Sequence, residues 1–459
     1  MTSESSPLPR TIFRAYDIRG IFGKDLTLDL AYKIGRAFAT KMGFGRKICM
    51  SKDTRVSGSA LMESFALGLL DSGCVSLKFD TIPVPVLGYC IWSQNFDAGI
   101  YISASHNPPE YNGIRFRDGD GSGMYYRDLN LEEVIEHNQF RELDEQEKRE
   151  VYTVNGDIEP VIQEYCEFVS HRIQLENAVK IVLDPGNGSA YRMMPLYQNI
   201  GCDVFGINMV PDGRFPNRMP EPKKETLGKT LKFVRNSGAD FGVAFDADSD
   251  RGIIIDERGD IVSPEKIAVI LAKEISEKGT VVASMDCSFL LERELENLGY
   301  RIVRERVGDV FISKAVQRNR AIIGVERSGH FFIPEFHASD DPFVMSSVLA
   351  EVLSKERRSL SQIAGEIQDY PYRSEAIFCP DDIKFEVMER IKDRILRNEE
   401  WNVELKDGIR IFTEDWAVLI RASHTEPKIR LYAETAVENL SELFKGFREI
   451  VVENIRATS

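Results

Sequence analysis

The sequence predicts an α/β protein built of repeated layers with a smaller α+β domain at its C-terminus. Three observations carry that reading. Apolar runs of strand length alternate with amphipathic helical stretches along most of the chain. The alternation restarts near residues 153 and 256, after polar or turn-rich stretches. From about residue 370 it gives way to short strands and one long amphipathic helix. The expected domains are therefore 1–152, 153–255, 256–369 and 370–459.

In the first domain, residues 12–24 form a short apolar and basic segment closed by glycines, and helical spacing runs from Leu26 to Met42. A strand at 47–51, a turn at 52–58, a helix at Ala60–Leu70 and a strand at 74–79 follow. The apolar run 97–102 reads as a buried strand that hands over to an exposed loop, because Pro108, Pro109 and Gly113 cannot continue it. The span 128–150 is polar and reads as a solvated helix and a boundary. In the second domain a strand at 179–184 turns through Pro185–Gly188 into a helix expected over 189–200. Four prolines keep 211–222 irregular, a strand at 239–245 delivers an acidic loop, and 252–262 reads as a hairpin. The third domain alternates helix 264–277, strand 280–285, helix 288–298, strand 300–303, helix 310–318 and strand 321–325, and helix 342–355 closes it. The last domain reads as strand 373–378, helix 383–396, short strands around 402, 409 and 418–420, and helix 437–455.

Composition sets limits on function. A chain of 459 residues exceeds one core, and the length prior gives about three or four domains. The 43% hydrophobic and 29% charged content is that of an ordinary globular protein. A net charge of −15 argues against a nucleic-acid or anionic-membrane surface, so an anionic ligand requires a local basic island. Seven dispersed cysteines without a CxxC pair fit reduced thiols. No signal peptide pattern and no apolar run of bilayer length is apparent. The expected location is the cytoplasm.

Four polar loops carry the candidate chemistry. Residues 101–113 (YISASHNPPEYNG) set Ser105 and His106 at the end of a strand, where a hydroxyl can face a cleft. Residues 246–251 (DADSDR) set three carboxylates on alternate positions. Such charges repel and raise one another's pKa unless a cation lies among them, and oxygen-only ligands favour Mg²⁺ or Ca²⁺. An EF-hand is disfavoured because Arg251 stands where that motif has glycine. Residues 324–330 (GVERSGH) offer Glu326, Ser328 and His330 on alternate positions, as a polyol requires. Residues 421–427 (RASHTEP) combine an arginine, two hydroxyls and backbone N–H groups, a plausible phosphate cradle.

Together and in this order, the four loops resemble those of the α-D-phosphohexomutase family. Ser105-His-Asn-Pro matches its phosphoserine loop, Asp246/Asp248/Asp250/Arg251 its metal loop, Glu326/Ser328/Gly329/His330 its sugar loop and Arg421/Ser423/Thr425 its phosphate loop. Residues 52–55 (KDTR), 184–188 (DPGNG), 215–218 (FPNR) and 307–309 (VGD) are also similar to family segments, so the likeness covers nearly the whole chain. The resemblance implies three similar α/β domains with mixed sheets and a smaller fourth domain around a central cleft.

The opening segment 13–20 (FRAYDIRG) resembles the phosphomannomutase/phosphoglucomutase branch, which makes that branch the leading expectation. Phosphoglucosamine mutase and a non-catalytic sugar-phosphate-binding paralogue are the alternatives. By the resemblance, Tyr16 and Arg19 touch the substrate, and Ser105 carries a phosphoryl group that passes to a hexose monophosphate. The hexose 1,6-bisphosphate so formed reorients and returns its other phosphate to Ser105. Mg²⁺ lies among Ser105, Asp246, Asp248 and Asp250, with Arg251 assisting, and Glu326 and Ser328 hold sugar hydroxyls. Arg421, Ser423 and Thr425 grip the second phosphate. Arg115 stands where the family usually has lysine; it binds charge but is a poor base, which leaves His106 or His330 to move the proton. Arg327, Pro342 and His424 are further departures, bearing on substrate choice. Expected partners are small hexose phosphates, without nucleic acid or membrane, for a monomer or homo-oligomer.

Overall fold

The protein is described by a computed structural model over residues 8–275, 278–423, 427–437 and 439–458. The chain divides into two compact units, residues 1–267 with 328–364 and residues 268–327 with 365–459.

The first unit holds two mixed sheets. Strands β1 (Asp17–Ile21), β2 (Lys47–Lys52), β3 (Val75–Thr81), β4 (Ala98–Ile102), β5 (Tyr111–Asp118) and β6 (Thr153–Asn155) form a sheet in the order β1-β5-β4-β2-β3-β6. The central β4-β2-β3 strands are parallel, while β5 runs antiparallel to both of its neighbours. β4 is buried along its whole length, which explains why its sequence is a continuous apolar run rather than an alternation. Helices Leu28–Met42 and Gly58–Asp71 set Phe38 and Phe65 into a core shared with Ile100, Ile114 and Phe116. Strands β7 (Lys180–Asp184), β8 (Asp203–Gly206), β9 (Phe241–Phe245), β10 (Gly252–Asp256) and β11 (Ile261–Val262) form the second sheet, ordered β11-β10-β9-β7-β8. The predicted hairpin is present, with Ile254 opposite Val262.

In the second unit, β12 (Thr280–Ser284) lies between parallel partners β13 (Arg301–Glu305) and β14 (Ile323–Val325). The short β15 (Phe331–Phe332) falls in the first unit. The C-terminal sheet is antiparallel throughout. Its order is β16-β20-β19-β18-β17, from β16 (Tyr372–Phe378), β17 (Asn402–Glu404), β18 (Ile409–Phe412), β19 (Trp416–Ala422) and β20 (Lys428–Thr435). Three α/β/α domains and an antiparallel fourth are thus the architecture. Among the described residues no helix is long and apolar enough to cross a membrane.

Several expectations change. The helix over 128–150 is instead a 3-10 turn at Tyr126–Leu129 and short helices at Leu131–Glu136 and Glu147–Glu150, broken where Asn130 and Asn138 turn left-handed. It is also not wholly solvated, since Leu131 and Val134 are buried. The helix over 189–200 splits into a 3-10 turn and Met194–Asn199, with Pro195 in the first turn, where its missing N–H costs nothing. Helices Val84–Ser93, Ile158–Ser170, Gly228–Ser237 and Leu360–Gly365 were not anticipated. The first of these is apolar nearly all round and so has no polar face to read. β20 was also missed, although Ile429, Leu431 and Ala433 alternate inward.

The expected exposed loop around 103–113 holds only in its middle, where Glu110 is exposed and 106–109 are half-buried, and is corrected at its ends. Ser105 is only 1% exposed, and Gly113 lies within β5. A Cβ at Gly113 would stand 2.5 Å from the Ser103 carbonyl oxygen and 2.7 Å from that of Ile18. Replacing Gly113 with alanine is expected to cost about 1–3 kcal/mol by forcing β1 and the serine loop apart. Urea denaturation of the two proteins checks this, and equal midpoints would refute it.

Candidate active site

β4 ends at Ile102, and the chain then turns through Ser105, whose φ of +50° is left-handed, an unusual conformation for a residue with a Cβ. The Ser105 backbone N–H donates to Ser103 Oγ at 2.7 Å. Its hydroxyl donates to Asp246 Oδ2 at 2.9 Å and lies 3.3 Å from His106 Nδ1. The His106 imidazole is pushed well below its ordinary pKa by burial and by the Arg251 guanidinium. It is therefore neutral at physiological pH.

β9 delivers the acidic loop, in which Asp246, Asp248 and Asp250 are fully buried. One oxygen from each lies within 4.8 Å of the others. Burial, Asp248 and Asp250 push the Asp246 carboxyl well above the usual range. Burial also opposes the charge of Asp250, but the Arg115 and Arg251 guanidiniums outweigh it and bring the carboxyl down to about 2. Arg115, on β5, donates from Nη1 to Asp248 Oδ2 at 2.8 Å and to Asp250 Oδ2. The remaining oxygens, Asp248 Oδ1 and Asp250 Oδ1, are buried without a hydrogen-bond partner. Two orphaned anionic oxygens in an all-oxygen set are what a hard divalent cation requires. The cluster fits a metal site.

Arg251 follows directly. Its backbone N–H reaches Asp246 Oδ1 at 3.3 Å, and its Nε–H donates to His330 Nε2 at 2.9 Å. Guanidinium nitrogens only donate, so Nε2 must accept and the ring proton sits on Nδ1. Nδ1 faces Asp340 Oδ2 at 2.9 Å, and Asp340 Oδ1 accepts from Arg117 Nη1 at 2.9 Å. The Asp340 carboxyl stays far below the usual range despite burial, because Arg117 and His330 hold it ionised. A second ligand-capable group, Asp250, His330 and Asp340, is thus already engaged by arginines.

The first unit therefore brings together Ser105, His106, Arg115, the three aspartates, Arg251 and His330. It adds Arg19, which donates from Nη1 to Asn107 Oδ1 at 2.9 Å while pairing with Asp17. Tyr16 is half-buried in the turn before β1, and Ser328 is half-buried beside Gly329. The Gly329 carbonyl accepts from the Gly252 N–H at 3.1 Å. Arg55, Arg117 and Asp340 were missed by sequence reading. Arg55 lies in the 52–55 segment already marked as family-like, but no local pattern shows which carbonyls an arginine will reach.

In the second unit, Glu326 is buried and accepts from the Gly308 N–H at 2.6 Å. Arg327 donates from Nη1 to the Asp286 carbonyl at 2.9 Å and stacks 3.9 Å over the Tyr372 ring. Arg421 lies 3.3 Å from Asp407, and its Nε is buried without a partner. Ser423 donates its N–H to the Lys428 carbonyl, and its own carbonyl accepts from Lys384 Nζ at 2.6 Å. Thr425 and His424 lie outside the described residues.

Models of phosphoglucomutase/phosphomannomutase domains match in order: alpha/beta/alpha domain I over 10–142, domain II over 163–259, domain III over 263–370 and the C-terminal domain over 383–445. These four domains define a phosphohexomutase, an intramolecular phosphotransferase. A probable phosphoglucosamine mutase of Methanopyrus kandleri is 33% identical over 97% of this chain and 99% of its own. A phosphoglucomutase/phosphomannomutase of Thermococcus kodakarensis is 31% identical over 93% of this chain and 95% of its own. The chain belongs to the phosphoglucomutase/phosphomannomutase family of α-D-phosphohexomutases.

Among solved structures, a phosphoglucomutase/phosphomannomutase family protein of Burkholderia thailandensis superposes with a TM-score of 0.87 at 25% identity. That match covers 98% of this chain and 99% of that one. An Aspergillus fumigatus N-acetylphosphoglucosamine mutase, solved with GlcNAc-6P and magnesium, shares the fold at a TM-score of 0.59 and 14% identity. It covers 99% of this chain and 100% of that one.

If the buried carboxylates hold a cation, Mg²⁺ should stabilise the metal-stripped protein by about 2.7 kcal/mol at a hundredfold excess over its dissociation constant. Calorimetry with and without Mg²⁺ reads this as a higher melting temperature. Asp248→Asn is expected to abolish the rise, and an undiminished rise in that variant would move the ion elsewhere.

Proposed function

We propose that this phosphohexomutase interconverts glucosamine 1-phosphate and glucosamine 6-phosphate through a phosphoserine at Ser105 and a hexose 1,6-bisphosphate. The observation that carries the sugar is the 33% identity, over nearly the whole of both chains, to a probable phosphoglucosamine mutase. It outweighs the glucose/mannose expectation raised by residues 13–20. Glucose or mannose phosphates remain a second reading, favoured by the opening segment and by the Thermococcus relative.

In this mechanism a sugar hydroxyl attacks the phosphorus on Ser105. The Oγ–P bond breaks as the new O–P bond forms, the attacking hydroxyl gives up its proton, and the freed Ser105 Oγ takes one up. His106, neutral and 3.3 Å from the Ser105 oxygen, suits proton exchange at that oxygen, taking the serine proton when Oγ attacks the returning phosphoryl. His330 suits it less, because its Nε2 lone pair is occupied by Arg251. Arg115 and Arg251 remain protonated and neutralise charge on the moving phosphoryl. Asp246, Asp248 and Asp250 would hold Mg²⁺, which supplies further neutralisation of phosphoryl charge when bound. Tyr16, Arg19, Glu326 and Ser328 would orient the sugar, and Arg421, Ser423 and Thr425 would hold the distal phosphate. With either end presented in turn, the bisphosphate returns its other phosphoryl to Ser105.

³¹P NMR with Mg²⁺, a trace of hexose 1,6-bisphosphate and each hexose 1-phosphate tests the proposal. Glucosamine 1-phosphate is expected to give the largest kcat/KM, and Ser105→Ala to abolish turnover. A faster reaction with glucose or mannose 1-phosphate would install the second reading. Turnover surviving in Ser105→Ala would remove the phosphoserine.

A further inference from the structure

Beneath the serine loop lies a guanidinium with no access to solvent. Arg55 is 2% exposed in a chain where most arginines are at the surface. Each of its five N–H groups has a partner. Nε donates to Asp53 Oδ2 at 2.9 Å. Nη1 donates to the carbonyls of Pro108 at 2.6 Å and Tyr111 at 3.0 Å. Nη2 donates to the carbonyls of Ser105 at 2.8 Å and Asn107 at 2.7 Å. The donor set is full, so Arg55 has nothing left with which to bind a phosphate. Four of the five donors instead fix one short stretch of backbone.

The counter-ion closes a ring. Asp53 Oδ1 accepts the Arg55 backbone N–H at 2.8 Å, and Oδ2 also accepts Ser103 Oγ at 2.8 Å. That same Ser103 oxygen accepts the Ser105 N–H at 2.7 Å. Both backbone polar groups of Ser105 are therefore held by the Asp53–Arg55 pair, the N–H through Ser103 and the carbonyl directly. Ser105 is also the residue with φ at +50°. An unfavourable backbone conformation persists only where its surroundings over-determine it. The other side is sealed by residues 212–217. The Phe215 ring lies 5.3 Å from the guanidinium, and a Cβ at Gly213 would meet the Thr54 carbonyl at 2.2 Å.

We infer that Arg55 is a positioning residue for phosphoryl transfer, holding Ser105 in its left-handed conformation so that Oγ stays aimed at the acidic loop as phosphate arrives and leaves. The inference rests on the reading that Ser105 carries the phosphoryl group. Neither Arg55 nor Ser103 touches the sugar in this assignment, so their effect belongs in the transfer rate and not in substrate affinity.

Two variants test it. Arg55→Lys keeps a cation beside Asp53 but loses the planar fork, while Ser103→Ala removes the tether on the Ser105 N–H together with one hydrogen bond to Asp53. Displacement of a reacting atom by about 1 Å costs on the order of 100-fold in rate. Arg55→Lys is expected to lose about that much in kcat, and Ser103→Ala about 10-fold, with KM for the hexose phosphate changed less than about threefold. Transfer of phosphate from hexose 1,6-bisphosphate to Ser105, followed by rapid quench and peptide mass, should slow in parallel. A Ser103→Ala enzyme with wild-type kcat, or losses confined to KM, would overturn the inference. If Arg55→Lys does not fold, Ser103→Ala decides alone. Wild-type enzyme that never acquires phosphate on Ser105 would instead sink the phosphoserine reading.

Discussion

Three ionisable carboxylates buried within 4.8 Å of one another are the constraint to which this structure answers. Two unit charges at that spacing repel by about 3–4 kcal/mol at an effective protein dielectric. Burial adds a desolvation cost that water cannot relieve. Asp246, Asp248 and Asp250 are tolerable only because cations converge on them from separate parts of the chain. Arg115 comes from the strand after the serine loop, and Arg251 from the position after the last aspartate. The serine hydroxyl contributes a hydrogen bond to Asp246. A site arranged in this way has its cations fixed before any ligand arrives.

That arrangement extends beyond the residues that meet the carboxylates. Arg251 is oriented by His330, His330 by Asp340, and Asp340 by Arg117 on β5. Charges alternate along the chain of contacts, so each buried group has a partner of opposite sign or a hydrogen bond. The imidazole is the neutral link, accepting on one side and facing a carboxylate on the other. Such networks are costly when one member is removed, because the partner left behind is buried and unpaired.

Much of this was legible in the sequence. The alternation of strands and helices gave the layers, and β2, β9 and helix Pro342–Lys355 fall close to where the periodicity put them. All three aspartates, Ser105, His106, Arg251 and His330 were nominated from loops after apolar runs, and Arg115 from the family resemblance; they meet in one unit. The misses have physical causes. Helix Val84–Ser93 is buried on nearly every face and carries no amphipathic signature. The proline pair at 108–109 suggested a solvent-facing loop, yet the carbonyls of that stretch are satisfied by Arg55 and so can be buried. Arg117 and Asp340 are 223 residues apart, and no local pattern encodes such a pairing.

The same separation bears on how the protein is made. The first compact unit is completed by residues 328–364, which follow a sixty-residue stretch belonging to the second. His330 and Asp340 lie in that late-arriving piece, and so does Asp341, which caps its helix and accepts hydrogen bonds from Tyr165 and His337. A ribosome must therefore emit 223 further residues after Arg117 before it can meet its carboxylate. Until then Arg117 of the serine-bearing layer has not met Asp340, and domain-by-domain folding from the N-terminus cannot run to completion. A nascent chain stalled short of residue 340 should hold its first sheet and core while remaining without a finished charge network, a state in which chaperone dependence and degradation are decided.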